Sequence, residues 1–321
     1  MITILKPGLC TTVQDLGRYG HQKYGVVVGG AMDSYSHRIA NILVGMEENA
    51  ATLEITLIGP VITFHQDTLI AICGGDFTPT INRKQVPMWR PYLVRKDSIL
   101  RFDRCKKGCR AYIAMAGGLD VPSVMGSSAT YIRGNIGGLH GGALKANDVI
   151  PIGLLNQYSK KIKQEIKQTP PNWFIPAKPL SPVIRVTKGR HFHLFSESSQ
   201  RKFFESIFEI TNNADRMGYR LNGSPLTLAK KGEMISEAVD FGTVQITPDG
   251  NPVVLMADRQ TTGGYPKIAQ VISVDLPLLA QMKPKDRILF REVSLEDAQQ
   301  LLREEEGYIN SLKKALEIKY R

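Results

Sequence analysis

The sequence predicts a mainly β protein of two domains with a few short helices. Three observations predict it. Short alternating or apolar runs bounded by Gly, Pro, Asn and Asp recur along the chain, at residues 61–64, 68–73, 98–102, 110–116, 184–187 and 253–257. A polar residue and an aspartate precede an apolar strand in Lys96-Asp97-Ser98-Ile99, Asn147-Asp148-Val149-Ile150 and Lys285-Asp286-Arg287-Ile288. An aspartate there can close a turn onto its own backbone, and its recurrence near the end of each β-rich half implies two related domains. Finally, 321 residues exceed what most single cores use, and a Lys-rich, then Pro-rich stretch divides them.

The elements follow in order. Residues 1–6 read as a first strand and lack the charged start and small-residue cleavage site of a signal peptide, so the expected location is the cytoplasm. Gln14-Asp15-Leu16-Gly17-Arg18-Tyr19-Gly20 and Gly29-Gly30-Ala31-Met32-Asp33-Ser34 make a polar cluster ahead of a helix over about 35–44. Asp33 or Ser34 can cap that helix, and a helix N-terminus can also hold an anion. The N-terminal domain is expected over 1–155 and a basic, Pro-rich linker over 156–182. The linker carries Lys160, Lys161, Lys163 and Lys167, then Thr169-Pro170-Pro171-Asn172-Trp173-Phe174-Ile175-Pro176, whose prolines favour extended chain. Trp173 and Phe174 are expected to pin the crossing against a domain.

The C-terminal domain is expected over 183–321. Residues 198–208 predict a helix with Phe203, Phe204 and Ile207 at core spacing. Residues 294–316 predict an amphipathic helix with a capping box from Ser294 and Asp297, bent or interrupted at Gly307. That helix packs on its own domain or offers a face to a partner.

Composition narrows the function classes. The formal charge is +11, but much of the excess sits in the connector lysines, and no aromatic-interleaved basic motif or zinc finger accompanies it. A solvated face explains the charge better than a nucleic-acid groove. No window offers the roughly 20 apolar residues of a membrane span. Cys10, Cys73, Cys105 and Cys109 read as reduced structural thiols; Cys105 and Cys109 lack the second pair of a tetrahedral metal set. His191-Phe192-His193 can point two imidazoles to one face of a strand, yet no further ligand lies near it in sequence, so both are read as structural. Gly137-Gly138-Leu139-His140-Gly141-Gly142-Ala143-Leu144 is glycine-rich without the Lys-Ser/Thr of a phosphate-binding loop, so no cofactor is assigned by a motif.

The densest chemistry follows the apolar run Pro252-Val253-Val254-Leu255-Met256-Ala257. It is Asp258-Arg259-Gln260-Thr261-Thr262-Gly263-Gly264-Tyr265-Pro266-Lys267-Ile268-Ala269, a polar loop delivered by a buried strand. Gly263 and Gly264 let the backbone turn sharply or approach a ligand closely. Together with the two N-terminal clusters, Leu5-Lys6-Pro7-Gly8, Leu53-Glu54-Ile55-Thr56 and Asp215-Arg216-Met217-Gly218-Tyr219-Arg220-Leu221, this loop resembles the KipA family. That family is also called allophanate hydrolase subunit 2-like, or the 5-oxoprolinase C-subunit family, and is related to half of the carboxyltransferase domain of urea carboxylase. The resemblance runs from Ile2 to Val293. It implies two cyclophilin-like β-barrel domains.

The residue types fit polar small-molecule chemistry. Arg18, Arg216 and Arg259 offer planar forks for carboxylate or carboxylated-nitrogen groups. Asp15, Glu54 and Asp258 can act as bases or hold those arginines in position. Gln14, Gln245 and Gln260, with Thr261 and Thr262, can polarise a carbonyl. Tyr265 and Lys267 can move protons or neutralise developing charge. Asp258, Arg259, Gln260 and Lys267 are the catalytic candidates; the others, with Asp33, Ser34, Gly263 and Gly264, are candidates for binding substrate.

The resemblance implies a subunit that works with a KipI-like partner, and with a third subunit in ATP-dependent opening of 5-oxoproline to glutamate. ATP is then a matter for the complex. Two alternatives stay open: a regulatory protein antagonising a KipI-like kinase inhibitor, and a biotin-dependent carboxyltransferase subunit. The latter needs biotin from another protein, since Met282-Lys283-Pro284 is only partly like a carrier Met-Lys-Met.

Overall fold

The computed structural model describes residues 1–230, 232 and 234–320. They divide into two compact units. The first comprises Met1–Arg18, Gly29–Lys178 and Tyr308–Arg321, and the second Tyr19–Val28 and Pro179–Gly307.

The first unit is built on two sheets around one core. Its strands are β1 (Ile2–Lys6), β2 (Cys10–Gln14), β3 (Thr52–Thr56), β4 (Val61–Phe64), β5 (Thr68–Asp76) and β6 (Thr80–Ile81), then β7 (Lys84–Gln85), β8 (Pro91–Val94), β9 (Ile99–Arg101), β10 (Lys107–Met115) and β11 (Val149–Ile150). They form one sheet in the order β11-β1-β4-β9-β6-β7 and another in the order β2-β3-β10-β5-β8. Alternation along β5 explains its unbroken apolar sequence. Ile70 and Ile72 face the core between the sheets, while Leu69, Ala71 and Cys73 face a second core under the helices. That second core is roofed by α1 (Ser34–Leu43) through Tyr35, Ile39 and Leu43, and by α2 (Gln157–Gln168) through Ile162 and Ile166.

The stretch expected as a linker is therefore part of the first unit. The spacing of Ile162 and Ile166 gives α2 one apolar stripe, and its lysines occupy the remaining faces. Asn156 caps it by accepting from Ser159 N–H at 2.7 Å. Trp173 packs against the same core, whereas Phe174 is exposed with the Arg90 guanidinium over its ring.

The second unit closes into a barrel. After β12 (Val183–Lys188), α3 (Glu197–Glu205) and β13 (Ile207–Ile210) come β14 (Gly218–Asn222), β15 (Glu237–Ala238), β16 (Thr243–Ile246), β17 (Pro252–Leu255), β18 (Thr262–Gly263) and β19 (Lys267–Val271). Short α4 (Leu276–Ala280) leads to β20 (Arg287–Glu292), and α5 (Leu295–Lys319) ends the chain. The barrel order is β12-β19-β16-β17-β14-β13-β20, closed by parallel pairing of β20 with β12. Phe203, Phe208 and Phe290 fill its aromatic interior, with Phe203 and Phe290 stacked at 4.6 Å. Ile207 departs from the helical expectation: the helix stops at Glu205, and Ile207 lies exposed on β13.

Helix α5 also departs from expectation. Ser294 accepts from Asp297 N–H at 3.0 Å and donates to the Asp297 carboxylate at 2.8 Å, closing the predicted cap. The helix then runs through Gly307 without interruption, and from Tyr308 onward it belongs to the first unit. Ile309, Leu316 and Tyr320 are buried in that unit's helical core.

The aspartate turns repeat in detail. Asn147 and Lys285 both adopt left-handed backbone, with φ of 72° and 75°. Asp148 Oδ2 accepts from Lys145 N–H at 2.7 Å, and Asp286 Oδ2 from Lys283 N–H at 3.0 Å. Ile4 brackets the first turn as Ile210 brackets the second, each exchanging two backbone hydrogen bonds with it. The third copy differs: Asp97 takes the left-handed position itself, and Asp67 supplies the carboxylate that accepts Lys96 N–H.

Candidate active site

In the second unit, the polar loop after β17 is held by short β18, which pairs with β15 so that Gly263 faces Glu237. Around it lies a pocket of about 530 Å³ whose lining includes Tyr19, Arg190, Glu237, Asp240, Arg259 and Lys267. Gln260 and Thr261 also reach this pocket. Thr262 and Tyr265 are exposed on the loop.

Arg259 is 7% exposed. One terminal nitrogen donates to the Asp240 carboxylate and the other lies 3.4 Å from the Ala257 carbonyl. Its buried Nε has no hydrogen-bond partner among the described residues. Burial pulls the guanidinium below the ordinary arginine value, against the opposing pull of Asp240. Such a donor is prepared for an oxygen that arrives with a ligand.

Lys267 is equally buried. Its ammonium donates to the Gly263 carbonyl at 3.3 Å and stands 3.5 Å from Glu237 Oε2. Gln245, 1% exposed, lies beneath the loop and donates to the Tyr265 carbonyl at 3.4 Å. A Cβ at Gly263 would sit 2.5 Å from the Gln245 amide nitrogen, so glycine is what lets the loop descend onto Gln245. Gly264 is half-buried beside it.

Asp258 has a different setting. Both its oxygens accept from Arg216, at 2.9 and 2.8 Å, and its N–H donates to the Arg216 carbonyl. The carboxylate thus holds the arginine in a two-bonded fork. Asp215, the nearer acid in sequence, instead accepts from the Met217 and Gly218 amides.

In the first unit, the remaining candidates fall into two networks. Asp15 accepts from Gly17 N–H, Ser127 Oγ and Ser128 N–H. Arg18, 1% exposed, donates to the carbonyls of Val124, Ser127 and Ala129. Gln14 donates to Thr12 and to the Thr130 carbonyl, and its buried Oε1 has no partner among the described residues. The second network surrounds Glu54. Its Oε2 accepts from Met32 N–H at 2.9 Å and from the Tyr112 hydroxyl at 2.7 Å, with Arg110 3.8 Å from Oε1. Asp33 caps α1 by accepting from Ser36 N–H and Oγ, while its own N–H donates to the Tyr112 oxygen. Ser34 is the first residue of α1. Burial and then Glu54 push the Tyr112 phenol well above its usual value, so it serves as a neutral hydrogen-bonding link.

Comparison with known proteins shows what this assembly resembles. The family profile of the carboxyltransferase domain, subdomain A and B, matches residues 24–292. The chain is 37% identical over 319 residues to the C subunit of 5-oxoprolinase from Haemophilus influenzae, covering 99% of this chain and 100% of that one. It is 38% identical over 313 residues to the C subunit of 5-oxoprolinase from Escherichia coli, covering 97% of each. The chain belongs to the 5-oxoprolinase C-subunit family. The crystal structure of K. lactis urea amidolyase matches 97% of this chain with a TM-score of 0.87 at 31% identity, and the matched part is 20% of that much longer chain.

Within this 5-oxoprolinase C-subunit fold, two pocket residues escape sequence reading. Glu237 and Asp240 sit in no motif: Glu237 meets Lys267 from β15, which pairs with β18, and Asp240 meets Arg259 from the turn after it. His191 does not lie on a strand with His193. It precedes a 3₁₀ turn (Phe192–Leu194), and His193 is exposed, so the two imidazoles share no face of a strand.

Proposed function

We propose that this chain is the C subunit of an ATP-dependent 5-oxoprolinase, opening the lactam of 5-oxoproline to glutamate together with a KipI-like partner and a third subunit. The match to the H. influenzae 5-oxoprolinase C subunit along its entire length carries this reading. The second-unit pocket supports it chemically. A lactam acid has a carboxylate and a carbonyl oxygen, and the buried Arg259 Nε, with Gln260 and Thr261, offers donors for such oxygens. Opening breaks the C–N bond, adds a water oxygen to the carbonyl carbon and leaves an amine nitrogen that takes a proton. Lys267 and Glu237 are the pocket's proton-handling pair. ATP enters at the level of the complex and supplies the driving force.

A second reading is favoured by the match to urea amidolyase. There the pocket would serve a carboxyltransferase, with Arg259 meeting the oxygens of a carboxylated nitrogen and biotin brought by another protein. The deciding experiment is 5-oxoproline-dependent ATP hydrolysis by this chain co-purified with its partner subunits. Glutamate formation coupled to ATP use supports the first reading. A stable complex without turnover, but with carboxyl transfer from carboxybiotin, supports the second.

A further inference from the structure

His191 and Lys267 lock each other through two backbone-anchored hydrogen bonds. His191 N–H donates to the Lys267 carbonyl at 3.1 Å, and Lys267 N–H donates to the His191 Nδ1 at 3.1 Å. Gly189 makes the approach possible: a Cβ there would sit 2.5 Å from the Lys267 carbonyl oxygen. The second bond fixes the chemistry of the ring. A nitrogen that accepts an N–H carries a lone pair, so the neutral imidazole bears its proton on Nε2. That Nε2 lies 3.9 Å from Glu237 Oε1, and Glu237 Oε2 lies 3.5 Å from Lys267 Nζ. One imidazole therefore holds the backbone of the lysine on one side and faces the lysine's carboxylate partner on the other.

The geometry points to His191 as the positioning residue of this pocket: held as the Nε2–H tautomer, it sets Lys267 and Glu237 as a coupled pair that exchanges a proton with the substrate nitrogen. This rests on the lactam-opening reading above. In the step, Lys267 gives a proton to the ring nitrogen as the C–N bond breaks, and the electron pair of that bond stays on nitrogen. The water that adds to the carbonyl carbon returns one proton to Lys267 through Glu237, so atoms and charge balance over the cycle. The charged and titratable groups facing His191 are Lys267 on β19, Glu237 on β15, and Arg190 and His193 beside it in sequence. Burial and Lys267 lower its basicity, in keeping with a ring that stays neutral.

The test uses the full chain as wild type, His191→Asn and Glu237→Gln. The asparagine oxygen can still accept Lys267 N–H, but its shorter amide carries no imidazole Nε2–H toward Glu237, which separates positioning from a backbone clamp. Nitrogen-15 NMR of the histidine side chains is expected to show His191 as the Nε2–H tautomer. The titration of the Lys267 amine, read by its modification rate against pH, is expected to move in both variants. In the three-subunit complex, His191→Asn is expected to lower kcat about tenfold, to leave KM within about twofold and to shift the acid limb of the pH profile. A Nδ1–H tautomer, an unmoved lysine titration, or full kcat and an unchanged profile in His191→Asn would each overturn the assignment. A wild-type complex that never turns over 5-oxoproline would count against the lactam reading alone, because the NMR and the lysine titration still decide the positioning role.

Discussion

Arg216 and Asp258 form a bidentate ion pair, with the guanidinium Nε 2.9 Å from one carboxylate oxygen and Nη2 2.8 Å from the other. Their side chains are 12% and 6% exposed, so the pair is shielded from solvent. It links the turn before β14 to the loop after β17, strands that are themselves paired antiparallel. Removing one member strips the other, largely buried charge of its bidentate ion pair, a change that costs about 3–5 kcal/mol. Asp258→Ala is therefore expected to destabilise the chain by that amount in urea unfolding, and Arg216→Ala to do likewise. An Asp258→Ala chain of undiminished stability that loses turnover would instead give Asp258 a chemical role.

His37 predicts how stability depends on pH. It is fully buried in the first unit, bonded to Thr52 and Asn41, and burial lowers its pKa from 6.5 to about 4. The folded chain thus refuses a proton that the unfolded chain accepts below pH 6.5. Stability from this residue is complete above that value and falls as pH drops toward 4, by about 3 kcal/mol in all. Urea unfolding at several pH values between about 7 and 4 should show a smaller loss in His37→Gln than in wild type. An equal loss in both would remove His37 as the cause.

Gly307 gives a prediction of opposite sign. It sits inside continuous α5, and an added Cβ would meet nothing within 4 Å. Gly307→Ala should raise stability by about 0.5–1 kcal/mol, read as a higher urea midpoint with an unchanged slope. A lower midpoint would mean that the helix needs glycine's freedom at this point.

The sequence reading succeeded where a signal is local. The apolar run before Asp258 is β17, Asp33 caps α1, and Ser294 with Asp297 caps α5. The turns at Asp148 and Asp286 repeat bond for bond. It went astray where tertiary contacts decide. The lysines of 160–167 lie on a solvated helix face as read, but the stripe of Ile162 and Ile166 that buries α2 in the first unit went unread. Ile207 had helical spacing, yet β13 pairs with β20 from that residue onward. The loop 258–267 was legible as a polar cluster, while the partners that define its pocket were not. Asp240 reaches Arg259 across 19 residues, and His191 reaches Lys267 across 76, separations that no local pattern encodes.

On the lactam-opening proposal, the pocket around Arg259 is where this subunit serves catalysis. The most direct measurement is 5-oxoproline-dependent ATP hydrolysis by the intact complex carrying Arg259→Ala, beside wild type and Arg259→Lys. Arg259→Ala is expected to lose at least about a hundredfold in kcat/KM, with the complex still assembled, and to be little rescued by lysine, which lacks the Nε donor of the planar fork. Turnover within about twofold of wild type in an assembled Arg259→Ala complex would contradict it.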